Sequence, residues 1–162
     1  MATQNLSHFD PNTVPSALGM RFGIVVSEWN NEITGNLANG AVKTLMQHGA
    51  LESDITLRYV PGSFELPLAG KWLAETNIFD AIILLGCVIQ GETRHFDFIC
   101  QGVTQGTVDL NLSLNLPFIF GVLTTQNQQQ AIDRSGGQHG NKGDEAAVTA
   151  IKMVALRSQI AE

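Results

Sequence analysis

Charge is scarce in this chain. Asp, Glu, Lys and Arg make up 15% of the 162 residues, against about 25% in an ordinary soluble domain. A domain this poor in charge covers part of its surface, and copies of itself are the simplest cover. The nine Lys and Arg are scattered and outnumbered by fifteen Asp and Glu, leaving a net charge of −6. That excludes the basic footprint expected of a nucleic-acid or anionic-membrane binder. The two cysteines, Cys87 and Cys100, are too few for a disulfide framework and lack metal-ligand spacing. No apolar run approaches the ~20 residues that cross a bilayer. Residues 1–20 have neither the charged start nor the apolar centre of a signal peptide. The expected compartment is the cytoplasm, with both thiols reduced.

What is present is apolar and periodic. Hydrophobic residues reach 44%, which excludes intrinsic disorder, and the length suits one domain over 21–162 behind an N-terminal arm over 1–20. Arg21 to Val26 reads as a buried strand. Ile33, Leu37, Ala41, Leu45 and His48 then recur at helical spacing, with Gly49 placed to end the helix. Ile55 to Val60 reads as a second strand. Phe64, Leu68 and Trp72 share one face of the helix after it, where Pro67 is tolerable in the first turn. Ala81 to Leu85 is a third strand, followed by a loop from Gly86 to Thr93. Ile99, Val103, Gly106, Leu110 and Leu114 form the stripe of a long helix. A fourth strand covers Phe118 to Leu123, a short helix Asn127 to Asp133, and a glycine-rich loop Ser135 to Gly143. Ala147, Ile151 and Val154 mark a closing helix. Alternating apolar strands and amphipathic helices predict an α/β domain, a three-layer α/β/α sandwich on a four-stranded parallel sheet. Ligands of such sheets bind beyond the carboxyl ends of the strands.

Those ends carry the unusual residues. Trp29 follows the first strand and suits stacking on a flat heterocycle, although a large aromatic can equally fold back onto a core or an interface. Ser63, Phe64 and Glu65 follow the second strand; a hydroxyl, a carboxylate and the amides of a helix start suit a hydroxyl-rich neutral ligand. The same residues also read as a plain cap, with Ser63 as N-cap. After the third strand, Gly91 and Thr93 lead into a helix N-terminus able to hold an anion. The spacing fits neither a Walker A loop nor a dinucleotide fingerprint. His95 stands in the first turn of that helix, where it can transfer protons near neutral pH. Arg134 and Lys142 flank the glycine-rich loop. An Arg grips a phosphate with two prongs and a Lys with one, though two solvated surface cations would look the same in sequence.

Three segments, Pro61-Gly62-Ser63-Phe64-Glu65-Leu66-Pro67, Gly86-Cys87-Val88-Ile89-Gln90-Gly91-Glu92-Thr93-Arg94-His95-Phe96-Asp97 and Ile132 to Gly143, occur in this order. Together they resemble lumazine synthase (6,7-dimethyl-8-ribityllumazine synthase), and the resemblance runs from about Arg21 to the C-terminus. It implies a flavodoxin-like fold and a transferase acting at the penultimate step of riboflavin biosynthesis. The implied reaction condenses 5-amino-6-(D-ribitylamino)uracil with 3,4-dihydroxy-2-butanone 4-phosphate, releasing phosphate and water, with no cofactor and no metal. By position, Trp29 would stack on the pyrimidine, and Ser63, Phe64 and Glu65 would hold the ribityl chain and ring. Cys87, Val88 and Ile89 would line the ring pocket through their backbone. Glu92 and Thr93 would cradle the phosphate with Arg134, and His95 would move protons. Phe120, Arg134 and Lys142 would come from the neighbouring subunit of a pentamer. The same resemblance implies a homo-oligomer that is a pentamer, a decamer or an icosahedral 60-mer. Cys87, Gln90 and Trp29 stand where Thr, Arg and Phe are common in that family. Two other readings share these motifs: a paralogue that only binds a lumazine or flavin, and an archaeal-type riboflavin synthase.

Overall fold

The structure, a computed structural model, describes residues 8–162. Residues 1–7 of the expected arm lie outside the described residues. The apolar run Phe22–Ser27 forms β1, buried at every position. It lies between β2 (Ile55–Val60) and β3 (Ala81–Ile89), and β4 (Phe118–Thr125) completes the sheet, in the order β2-β1-β3-β4. All three pairings are parallel. Parallel neighbours require crossovers, and the sequence supplies them as α1 (Asn31–Gln47), α2 (Leu66–Ala74) and α3 (His95–Leu114). The chain closes with α4 (Gln128–Arg134), a small hairpin of β5 (Ser135–Gly137) and β6 (Gly140–Asn141), and α5 (Lys142–Ala161).

The sheet divides the core in two because strand side chains alternate between faces. Ile83 and Leu85 point with Ile24 and Val26 into a core shared with Leu37, Leu45, Ala147 and Ile151 of α1 and α5. Ile82 and Leu84 point the other way with Val25, onto Leu66, Val103 and Leu110 of α2 and α3. This is the expected three-layer sandwich. Leu85 has no exposed surface, so Leu85→Ala should cost about 2–5 kcal/mol through lost burial and the cavity left behind. A lower urea midpoint at fixed protein concentration is the measurement.

Several boundaries differ from the sequence reading, each for a visible reason. β3 does not stop at Leu85: Gly86 breaks the apolar run, but pairing continues from Gly86↔Val122 to Ile89↔Thr125. Cys87, Val88 and Ile89 are therefore strand residues rather than loop, and β4 runs past Leu123 to Thr125, with Phe120 inside it. In α3 the buried stripe passes through Val103, Thr107 and Leu110, while Leu114 is exposed near the helix end. Thr107 is accommodated because its hydroxyl donates to the Val103 carbonyl at 2.7 Å. The glycine-rich loop is the β5–β6 hairpin, and Gly143 already belongs to α5. Phe64, Leu68 and Trp72 do share a face, but it points away from the sheet: all three are exposed, while Leu66, Ala69 and Gly70 face inward. His48 caps α1, its Nδ1 2.8 Å from the Thr44 carbonyl oxygen. Its own carbonyl accepts the Ala17 N–H at 2.8 Å, which ties part of the arm to the domain.

Candidate active site

The carboxyl ends of β1, β2 and β3 meet in one place. β1 leads into Glu28 and Trp29, whose N–H groups donate to the carbonyls of Val60 and Pro61 at 2.8 and 3.0 Å. Those bonds hold the loop beside the end of β2. Asn30 then turns in the left-handed region, φ 59°, a conformation that Asn tolerates better than most residues. Its side-chain amide donates to the Cys87 carbonyl at 3.2 Å, joining the ends of β1 and β3. Trp29 is 68% exposed and is not folded into the core. Its ring lies over Gly62, where a Cβ would come within 2.6 Å of it. Only glycine allows this approach.

The Ser63–Glu65 segment is a 3-10 turn leading into α2. Here the expectation that Ser63 caps the helix fails. Glu65 holds the cap position of α2 and Gly62 that of the 3-10 turn, and the Glu65 carboxylate accepts the Gly62 N–H at 3.0 Å. Ser63 is buried with no partner for its hydroxyl among the described residues. It sits against Gly86, where a Cβ would lie 2.5 Å from its Oγ. Glu65 and the Trp29 ring converge on Gly62, so an aromatic face, a carboxylate and a spare hydroxyl gather at the strand ends. Phe64 lies against Gly102 of α3 and is exposed.

At the end of β3, Val88 and Ile89 are half-buried, and beyond it Gln90, Gly91, Glu92, Thr93 and His95 are exposed. The His95 N–H donates to the Thr93 hydroxyl at 3.4 Å, placing the hydroxyl at the N-terminus of α3. The neighbouring Arg94 is drawn to Asp97 and to the face of Phe98. Burial pushes the Cys87 thiol up to about 11, so it stays protonated and non-nucleophilic near neutral pH. What the strand offers here is its backbone.

Phe120, Arg134 and Lys142 lie elsewhere. They line a groove of about 580 Å³ along β4, the edge strand, together with Thr124 and Glu145. Trp29, Ser63, Glu65 and His95 do not line that groove. Arg134 donates to the Gln130 carbonyl at 3.0 Å. Lys142 is not a solvated surface cation: its ammonium lies 2.8 and 3.0 Å from the two Glu145 carboxylate oxygens. Asn30, Gly62 and Glu145 escaped the sequence reading. A Lys-to-Glu spacing of three in a helical first turn was a usable signal for Glu145; nothing local marked Gly62 as the floor under Trp29.

A parallel sheet in the order 2-1-3-4 with functional groups massed at its carboxyl ends defines a flavodoxin-like α/β enzyme. A family model described as 6,7-dimethyl-8-ribityllumazine synthase matches residues 19–158, and the chain belongs to that family. It is 59% identical over 153 residues to the 6,7-dimethyl-8-ribityllumazine synthase of Parabacteroides distasonis, covering 94% of this chain and 96% of that protein. It is 56% identical over 161 residues to the enzyme of that name in Flavobacterium johnsoniae, covering 98% and 85%. With the one in Cytophaga hutchinsonii it shares 56% identity over 154 residues, covering 95% and 96%. No helix among the described residues is long and apolar enough to cross a membrane.

Proposed function

We propose that the two groups of residues are the two walls of one active site, completed between copies of the chain. The activity is that of the family: a transferase that condenses 5-amino-6-(D-ribitylamino)uracil with 3,4-dihydroxy-2-butanone 4-phosphate to 6,7-dimethyl-8-ribityllumazine. On the first wall, Trp29 stacks on the pyrimidine. Ser63, Phe64 and Glu65 hold the ring and ribityl chain, and the backbone of Cys87, Val88 and Ile89 lines the pocket. Glu92 and Thr93, with the N-terminus of α3, receive the phosphate, and His95 transfers protons. On the second wall, Phe120, Arg134 and Lys142 reach in from the neighbouring subunit of a pentameric ring.

The observation that carries this reading is the exposed Trp29 ring seated on Gly62 beside the Glu65 carboxylate. It forms a flat apolar platform next to hydrogen-bonding groups, the chemistry a ribitylated pyrimidine presents. The ring arrangement draws support from the outward faces of the helices. Leu68 and Trp72 on α2 and Leu112 on α3 are all exposed, an apolar surface that a low-charge chain covers with its own copies. The chemistry asks little beyond position. The amine adds to the ketone, water leaves to give a Schiff base, phosphate is eliminated, and the second amine closes the ring with loss of water. Holding two substrates in register can supply effective molarities of about 10⁵ M or more.

Incubation with both substrates, followed by the fluorescence of the lumazine product, tests the reaction. Product formed from the two substrates excludes a binding-only paralogue, and the need for the four-carbon phosphate excludes an enzyme that joins two lumazines. The phosphate contact has its own test. Arg134→Ala should raise the KM for the butanone phosphate about tenfold or more while changing that for the pyrimidine little. Inorganic phosphate should compete with the four-carbon substrate less well in the mutant. Arg134→Lys should rescue poorly, because a point charge does not replace a planar fork. Equal effects on both substrates would remove Arg134 from the phosphate.

A further inference from the structure

The crossing of α1 and the start of α5 is built more tightly than helix packing alone requires. Asn141, the residue before α5, uses both ends of its amide. Its oxygen accepts the Gly143 N–H at 2.8 Å, and its nitrogen donates to the Asn36 carbonyl of α1 at 2.9 Å. About two turns further along α1, the buried Thr44 hydroxyl donates to Asp144 at 3.2 Å. Gly40 lies between these two bonds. A Cβ there would stand 2.5 Å from the Asn141 amide nitrogen and 2.6 Å from the Asp144 carboxylate. From the other side, a Cβ on Gly143 would overlap the Leu37 carbonyl oxygen. Two glycines thus let one helix start rest against the backbone of another, and two side-chain bonds fix it there.

The residues on either side of this clamp give it a use. Lys142 follows Asn141 directly, and Arg134 is one residue from Ser135, which pairs with Asn141 across the hairpin. We propose that Asn141, docked on Gly40 of α1, is a positioning residue that sets Arg134 and Lys142 in the β4 groove. This rests on the reading of those two cations as the phosphate-binding wall. Arg134 ends the short helix α4 and leads into a two-stranded hairpin, elements too small to be rigid by themselves, while Lys142 opens α5 directly after that hairpin. The clamp couples them to α1, whose inner face is core.

The test is steady-state kinetics of the assembled enzyme with both substrates. Gly40→Ala, which pushes the clamp apart, should raise the KM for the four-carbon phosphate about tenfold and leave that for the pyrimidine within about twofold. Asn141→Asp should share the defect, since it keeps an oxygen for the Gly143 N–H but loses the donor to Asn36; that separates docking on α1 from helix capping. Thr44→Val should show a smaller selective rise that Thr44→Ser reverses. In a background carrying both Arg134→Ala and Lys142→Ala the Gly40 and Asn141 substitutions should add little, because the groups they position are gone. If Gly40→Ala fails to assemble, Asn141→Asp, which adds no bulk, decides alone. Wild-type kinetics, equal rises for both substrates, or full additivity with the Arg134→Ala, Lys142→Ala pair would overturn the proposal. Silent Asn141 variants beside a strong Arg134→Ala effect would overturn the clamp alone. A silent Arg134→Ala together with a silent Lys142→Ala would instead remove the phosphate reading, and the clamp's catalytic role with it.

Discussion

Replacement of His95 by alanine is expected to lower kcat about 10²-fold while leaving both KM values close to wild type. Imine formation, phosphate elimination and ring closure each move protons, and a positioned imidazole can relay them. His95 opens α3 and is exposed. Among the described residues its imidazole makes no hydrogen bond, and its backbone N–H donates to the Thr93 hydroxyl. Truncating the ring therefore removes no structural contact, and the variant should assemble normally. The residual rate should remain well above the uncatalysed reaction, because the positioning of two substrates survives the mutation. Stopped-flow single turnover, read by the absorbance and fluorescence of the product, separates chemistry from product release. Wild-type single-turnover rates would remove His95 from the mechanism.

A second large effect is expected from mixing two impaired proteins, assayed with the four-carbon phosphate well below its KM so that both lesions limit the rate. If His95 and Arg134 face each other across a subunit boundary, each site takes one from either chain, and every interface around the ring is equivalent. His95→Ala and Arg134→Ala subunits, co-expressed in equal amounts, then restore an intact pair at about one interface in four, so roughly a quarter of wild-type activity should return. Each parent alone stays low, because every one of its sites carries the same lesion. Native mass spectrometry with differently tagged chains establishes that the assemblies are mixed. Activity in such assemblies no higher than the sum of the parents would place both residues within one chain. The geometry favours recovery, since the groove holding Arg134 is lined by neither His95 nor Trp29.

The sheet, its crossovers and the inner faces of α1 and α5 were legible because they follow from periodicity. The apolar runs Phe22–Ser27 and Ala81–Leu85 left little choice but buried parallel strands. What escaped depends on partners distant in sequence. Gly86 looks like a strand end until β4 is beside it, and Thr107 looks like a gap in the stripe until its hydroxyl finds the helix backbone. In the site, residue types were visible but supports were not. Trp29 stands out in any sequence; that Gly62 is glycine so that the ring can lie on it required the two loops to be brought together. Likewise Lys142 reads as a free cation until the helix turn places Glu145 against it. Asn141 and Gly40 lie far apart in the chain, and no local pattern links them.

The strand order also governs how the chain is born. β1, the first strand made, is buried along its whole length, yet one neighbour waits for Val60 and the other for Ile89 to be synthesised. At about 5–20 residues per second, the ribosome needs roughly 3 to 12 seconds to carry elongation from Ser27 to Ile89. Throughout that interval the most apolar strand of the nascent chain has no complete sheet to enter. α1, the only long element finished early, can shelter one face through Ile33 and Leu37; the other face, through Val25, must wait for α2 and α3. The order that places β1 inside the sheet therefore makes early synthesis the period of greatest exposure to chaperones and to self-association.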